Sequence, residues 1–339
     1  MTRKVSATAP SKIILFGEHF VVYGGLAIAL PVEKRSTASV KAGHERDEPK
    51  LKLKSGEMHA TAWPGGRYEG EELMRPLAAV YMHVLSKKKC DESLHAEVST
   101  DRILKGMGGS ASVCASFAAA LCSYLHTKCT NAEIFDAAQA GEEVAHGGRP
   151  SGIDAITVIG GSPQKFSKQF NPLKYVSEPF NAQLPEGTSL LIIDTYKGER
   201  DATGDLIARF GASNGIAKKP DELDQGEREK LLMPYEKIVN KATGELKKDG
   251  DAEALGKLMN ANHELLKSVS TDEIETARQL ALSAGALGAK LTGAGGKGGA
   301  VLALVKKPDA GKVQAALISA GFPCFEAEIA KSGIRVSES

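Results

Sequence analysis

The 339-residue chain has no run of about 18 consecutive apolar residues, so nothing in it reads as a membrane-spanning helix. The opening "MTRKVSATAPSK" also lacks the apolar stretch of a signal peptide, which makes the cytoplasm the expected compartment. Charge of one sign is missing too. Lys+Arg number 43 against Asp+Glu 42, and no basic block interleaved with aromatics appears, which argues against nucleic acid as a partner. The five cysteines, Cys90, Cys114, Cys122, Cys129 and Cys324, form neither a CxxC pair nor a metal-ligand spacing. Their odd number fits reduced thiols packed in a core. HExxH, GxSxG and a serine–histidine–aspartate spacing are absent, which removes the common hydrolase signatures.

What is present is a 42% apolar chain, long enough for about two lobes around a substantial core. The first hundred residues read as short strands, "KVSATAP", "KIILF", "LAIALP", "STASVKA", "LKLK" and "HAEVST". One helix interrupts them from about Glu71, with Leu73, Leu77, Val80 and Val84 on one face. Two helical segments follow from Gly109 to about His146, divided near Cys129-Thr130-Asn131, where Thr130 or Asn131 can cap the second. "DAITVIGG" and "TSLLIIDT" read as strands, residues 199–285 as mostly helical, and "GAVLALV", a helix over 308–320 and "FEAEIA" as a mixed finish. Strands grouped early and helices grouped late predict an α+β protein of two lobes, 1–180 and 181–339, sharing a cleft.

Two glycine loops punctuate this pattern. "GMGGSA" (106–111) and "GAGGKG" (293–298) both fit the letters of a dinucleotide fingerprint. The first is separated from its strand by "DRILK" and has no acidic residue about 20 positions on, while the second leads into a strand rather than a helix. A Walker A loop fails as well, since Leu291 and Gly298 stand where Gly and Ser or Thr are required. A plain turn with capping serines would explain "GMGGSAS" alone, but the long helix of small residues behind it favours an anion site. Bare glycine amides at a helix N-terminus attract phosphate, and Ser110 there could reach a phosphate-bound Mg²⁺.

Charged residues in apolar surroundings complete the pattern. Lys12 lies between "APS" and "IILF", and Asp154 opens the expected strand "AITVIGG" behind Glu142, Glu143 and a Gly/Pro-rich turn. Either residue could be structural, a snorkelling lysine or a turn-capping aspartate. Together they could instead prepare an acceptor hydroxyl, with Asp154 as general base or as electrostatic anchor for Lys12 and with Glu143 on Mg²⁺.

In this order the segments resemble the GHMP kinase superfamily, and most closely its archaeal-type mevalonate kinase branch. "PSKIILFGEHFVVYGG", "GMGGSASV" and "KLTGAGGKGGAVLAL" resemble the family's three motifs, and "HGGRPSGIDA" the segment that carries its catalytic aspartate. The resemblance implies a ribosomal protein S5 domain 2-like N-terminal lobe, a ferredoxin-like C-terminal lobe, and phosphorylation of mevalonate by ATP with Mg²⁺. It implies Asp154 and Lys12 as catalytic, with Glu18, His19, Arg200 and Thr203 at the acceptor. It places Lys105, Gly106, Met107, Gly108, Gly109, Ser110, Ala111 and Ser112 around the nucleotide, Ser110 and Glu143 on the metal, and a homodimer as the assembly. Three departures stand out: Gly109 replaces a common serine, the register at Thr203 slips by one, and Lys297 replaces a frequent glycine. Another small-molecule kinase of the superfamily, or an inactive ligand-binding member, is the alternative. The joint presence of Lys12, Ser110, Glu143 and Asp154 speaks against the inactive one.

Overall fold

The structure is a computed structural model that describes residues 3–45, 48–126, 129–148 and 150–339. In chain order the first part comprises β1 (Lys4–Phe16), β2 (Ala27–Ala42), β3 (Leu51–Ser55), β4 (Met58–Ala62), β5 (Tyr68–Gly70), α1 (Arg75–Lys87) and β6 (Leu94–Thr100). It continues with α2 (Gly109–Tyr124), α3 (Asn131–His146), α4 (Ile153–Gly160), β7 (Gln164–Gln169) and β8 (Lys174–Pro179). Next come β9 (Thr188–Asp194), α5 (Thr203–Ser213), α6 (Gln225–Glu245), α7 (Ala252–Leu265) and α8 (Asp272–Ala284). The chain ends with β10 (Gly288–Thr292), β11 (Ala300–Lys306), α9 (Ala310–Ser319), β12 (Cys324–Glu326) and β13 (Arg335–Glu338).

The expected strand pairs "KVSATAP"/"KIILF" and "LAIALP"/"STASVKA" are two long strands, β1 and β2, paired antiparallel. The register shifts after Pro10, whose missing N–H cannot join the ladder. Burial along β1 alternates up to Thr8 and is continuous from Ala9 to Phe16. A half-covered strand thus becomes one covered on both faces, and Lys12 lies in the covered half.

The larger sheet runs β13-β1-β2-β6-β3-β4-β5, with β7 pairing β2 and β8 pairing β7. Helix α2 packs on β1 and β2 and against α3. Its Ala111, Ala115, Ala118, Ala119 and Ala120 let it sit close, while Phe117 fills the space beneath. Each fully buried large apolar side chain contributes about 1.5–3 kcal/mol. Thr130 caps α3 in a reciprocal capping box with Glu133. Helix α1 starts at Arg75, with Pro76 in its first turn, so Leu77, Val80 and Val84 are buried as expected but Leu73 precedes the helix and is exposed.

The second sheet has the order β10-β11-β9-β12, all antiparallel, which is the 4-1-3-2 order of a ferredoxin-like lobe. The division expected at 180/181 falls between β8 and β9, but β13 returns to pair with β1. One core also joins Ile13, Leu15 and Phe16 of β1 to Leu190–Ile193 of β9 and Val301–Val305 of β11.

Two expectations are overturned. "DAITVIGG" is not a strand but the helix α4, set between the left-handed glycines Gly152 and Gly161. Cys122 and Cys129, expected as free thiols, form a disulfide between the end of α2 and the start of α3, with Cα atoms 6.0 Å apart. Cys90, Cys114 and Cys324 are free. Among the described residues no helix is long and apolar enough to cross a membrane.

Candidate active site

A cavity of about 490 Å³ lies where β1, the loop before α2, the turn before α4 and the start of α5 converge. Lys12 enters it from β1. Its backbone N–H donates to Met107 O at 2.9 Å, which fixes the strand against the glycine loop. Its ammonium lies 3.1 Å from Asp154 Oδ1 and donates to Gly106 O at 3.1 Å. A lysine that is 2% exposed requires such partners, because desolvating an unpaired charge is costly. Asp154 sits in the first turn of α4, where the helix dipole favours a carboxylate.

The glycine loop 106–109 forms the next wall. Gly106 (φ +91°) and Gly108 (φ +65°) hold left-handed conformations that side chains disfavour. A Cβ on Gly108 would lie 2.9 Å from Lys12 Cε, and one on Gly106 would lie 2.8 Å from Thr292 O. A Cβ on Gly293 would come within 2.5 Å of Gly106 Cα, so the two glycine motifs of the sequence interlock here. Helix α2 begins behind Gly108 with no side-chain cap, leaving first-turn amides open at the cavity beside Ser110. Met107, Ala111 and Ser112 do not line the cavity: Met107 and Ala111 are packed in the core, and the Ser112 hydroxyl donates to Ala9 O at 2.8 Å.

The opposite wall holds the residues expected at the acceptor. Glu18 is ion-paired with Lys290 of β10, both with fully buried side chains. Burial pushes the Glu18 carboxyl up and the Lys290 ammonium down, each opposed by the other's charge. Glu18 Oε2 has no protein partner. His19, at φ +59°, stacks on Phe210 with ring centroids 4.9 Å apart. Its Nε2 lies 2.9 Å from Ala294 O and therefore donates, which leaves Nδ1 as an unpartnered acceptor. Burial lowers its pKa to about 4, so the ring is neutral at physiological pH. Arg200 stacks over Tyr196 at 4.9 Å, and Thr203 opens α5; both line the cavity.

The carboxylates at the end of α3 divide differently from the expectation. Glu143 is exposed and outside the cavity lining, whereas Glu142 lines it and is 1% exposed. Glu142 Oε2 lies 3.4 Å from His146 Nε2, and Oε1 has no partner. Their proximity raises the His146 pKa. Among the described residues no group of three or more His, Cys, Asp or Glu side chains is arranged to hold a metal ion. Arg149, in the same segment, lies outside the described residues. Lys297 is also outside the cavity and pairs with Glu199. Lys290, which pairs with Glu18, and Glu142, which lines the cavity, are buried charges that motif reading passed over. A lysine inside the apolar strand "GAKLT" and the Glu142/His146 i,i+4 spacing were the available signals.

Residues 78–161 match the GHMP kinases N terminal domain and residues 242–324 the GHMP kinases C terminal family. Mevalonate kinase of Aeropyrum pernix is 31% identical over 347 aligned residues, covering 100% of both chains. This chain belongs to the mevalonate kinase family of GHMP kinases. Mevalonate kinase of Thermococcus gammatolerans aligns with this family member at 31% identity over 99% of each chain. Among solved structures, L. major mevalonate kinase in complex with R-mevalonate superposes with a TM-score of 0.73 at 26% identity, covering 96% of each chain. Lactococcus lactis galactokinase complexed with galactose reaches 0.74 at 20% identity, covering 98% of this chain and 95% of its own. The fold is thus shared by kinases with different acceptors, and it does not by itself name the acceptor.

Proposed function

We propose that this chain transfers the terminal phosphoryl group of ATP to the 5-hydroxyl of (R)-mevalonate, giving 5-phosphomevalonate and ADP. The observation that carries this reading is the Lys12–Asp154 pair. It stands between the uncapped start of α2 and a cavity with acceptor-side groups, in a chain aligned end to end with archaeal mevalonate kinases.

The first-turn amides of α2 and the Gly106–Gly109 backbone bind and orient the phosphates. Mg²⁺ fits this site, because the buried Glu142 Oε1 lacks a protein partner and lines the same cavity as Ser110. Glu142, not Glu143, and Ser110 would hold it, and the ion would neutralise phosphate charge. Lys12 supplies a fixed positive charge beside the reacting oxygens. The hydroxyl oxygen forms a bond to the γ-phosphorus as the bond to the β,γ-bridging oxygen breaks, and Asp154 accepts the hydroxyl proton. On the acceptor side, His19 Nδ1 accepts a hydrogen bond from a substrate hydroxyl, and Arg200 offers the guanidinium that suits mevalonate's carboxylate. Positioning and charge account for most of phosphoryl transfer, and these groups are arranged for that work.

A coupled ADP-release assay run in parallel with mevalonate, phosphomevalonate, homoserine and galactose tests the reading. Turnover is expected with mevalonate. Preferential turnover of another alcohol would reassign the acceptor, and nucleotide binding without any phosphorylated product would indicate an inactive ligand-binding member.

A further inference from the structure

The Lys105 ammonium, at the entry to the glycine loop, is committed to backbone carbonyls across the cleft. It donates to Asp201 O at 2.8 Å, to Lys297 O at 2.9 Å and, at a longer 3.4 Å, to Gly295 O. An ammonium has three donors, and here all three meet carbonyl oxygens. The acceptors belong to two turns, the one entering α5 and the glycine-rich turn between β10 and β11. Asp201 ties the same turns a second time, its Oδ2 accepting from Lys297 N at 3.0 Å. Gly296 has no room for a side chain, since a Cβ there would lie 2.7 Å from Asp201 Oδ2. Asp201 is flanked by Arg200 and lies two residues before Thr203, both of which line the cavity on the acceptor side.

From this geometry we infer that Lys105 is a positioning residue. It straps the acceptor-side segment 199–203 to the phosphate loop, and does not serve as a phosphate ligand. The inference deepens the proposed function and rests on it for the identity of the acceptor alone. A phosphate-binding lysine presents open donors to the nucleotide, whereas these donors are occupied by the protein. The strap sets where Arg200 and Thr203 stand relative to the phosphates, and displacement of such groups by about 1 Å can cost as much as 10²-fold in rate.

Lys105→Met removes the donors while keeping the length of the side chain. With mevalonate as acceptor, kcat/KM is expected to fall by about 10- to 100-fold, mainly through KM for the alcohol. The Kd for ADP, measured by calorimetry, stays within about twofold of wild type while Lys105→Arg recovers most of the loss. Hydrogen–deuterium exchange provides a readout that needs no acceptor: amides of 199–205 exchange faster in Lys105→Met, with or without ADP. Asp201→Ala, which cuts the second tie, is expected to reproduce the acceptor defect and the faster exchange, and it stands in if Lys105→Met does not fold. An ADP affinity that weakens more than the acceptor KM, or unchanged exchange at 199–205, overturns the inference. A wild-type protein that ignores mevalonate overturns the proposed function, while the ADP and exchange measurements still decide the strap.

Discussion

The Lys12 ammonium and Asp154 Oδ1 lie 3.1 Å apart although their residues are separated by most of the N-terminal half of the chain. A covered strand brings the first, and a short helix between left-handed glycines brings the second. The pair faces the open amides of α2 within one cavity. Asp154→Asn keeps the shape but can no longer accept a proton or balance the lysine. Its kcat should fall by ~10²–10⁴, the range for a lost general base, with ADP affinity preserved within a few-fold. ADP-release kinetics and calorimetry together check this, and a near-normal kcat would remove Asp154 from the chemistry.

The neighbouring glutamates at the end of α3 give a paired test. Glu142→Gln should raise the Mg²⁺ concentration needed for half-maximal rate by about tenfold or more, the scale of a lost group in a metal site. Glu143→Gln, whose side chain faces solvent, should titrate with Mg²⁺ as the wild type does. The reverse pattern would restore Glu143 to the metal.

The buried Glu18–Lys290 pair makes an asymmetric prediction for stability. Lys290→Met leaves Glu18 charged and unpaired in the interior, at a cost of about 3–5 kcal/mol in denaturant unfolding. Without the lysine, the carboxyl pKa of Glu18 rises further than burial already raises it. A group whose pKa is higher in the folded state stabilises most at low pH and loses that contribution as pH rises. The deficit of Lys290→Met should therefore be smallest in acid. The double variant Glu18→Gln/Lys290→Met should be more stable than Lys290→Met alone; a double variant equally unstable would show that packing, not charge, sets the cost.

His19 predicts an acid dependence of stability with a definite sign. The unfolded chain takes up a proton near the ordinary value of 6.5, whereas the folded ring resists protonation until about 4. Stability thus falls as pH drops from about 6.5 to 4, at no more than ~1.4 kcal/mol per pH unit for one proton. His263 is shifted down as well, so the comparison must be with His19→Asn, which tolerates the positive φ and should lose one proton's share of the slope. Equal slopes for the two proteins would place the His19 pKa near its ordinary value.

Much of this was legible from residue chemistry. Lys12 and Asp154 were marked by charge in apolar surroundings, and the loop 106–110 by bare glycines before a small-residue helix. Misreadings have identifiable causes. In "DAITVIGG" a short, mostly apolar and largely buried stretch carries no periodicity that separates strand from helix, and the flanking glycines that cap α4 were the better guide. That Glu142 rather than Glu143 faces the cavity was not legible either, because a linear motif ignores the rotation of about 100° between adjacent helical residues. The disulfide was missed because Cys122 and Cys129, 7 residues apart in the chain, show no spacing that marks a pair, and only the fold brings their Cα atoms to 6.0 Å. The Lys105 strap depends on carbonyls far along the chain, which no local pattern displays.

The most direct measurement is a crystal structure with a non-hydrolysable ATP analogue and mevalonate bound together. The expected result is a triphosphate lying over Gly106–Ser110 and the 5-hydroxyl within hydrogen-bonding distance of the Asp154 carboxylate. A triphosphate bound away from the start of α2, or a hydroxyl out of reach of Asp154, would contradict the account.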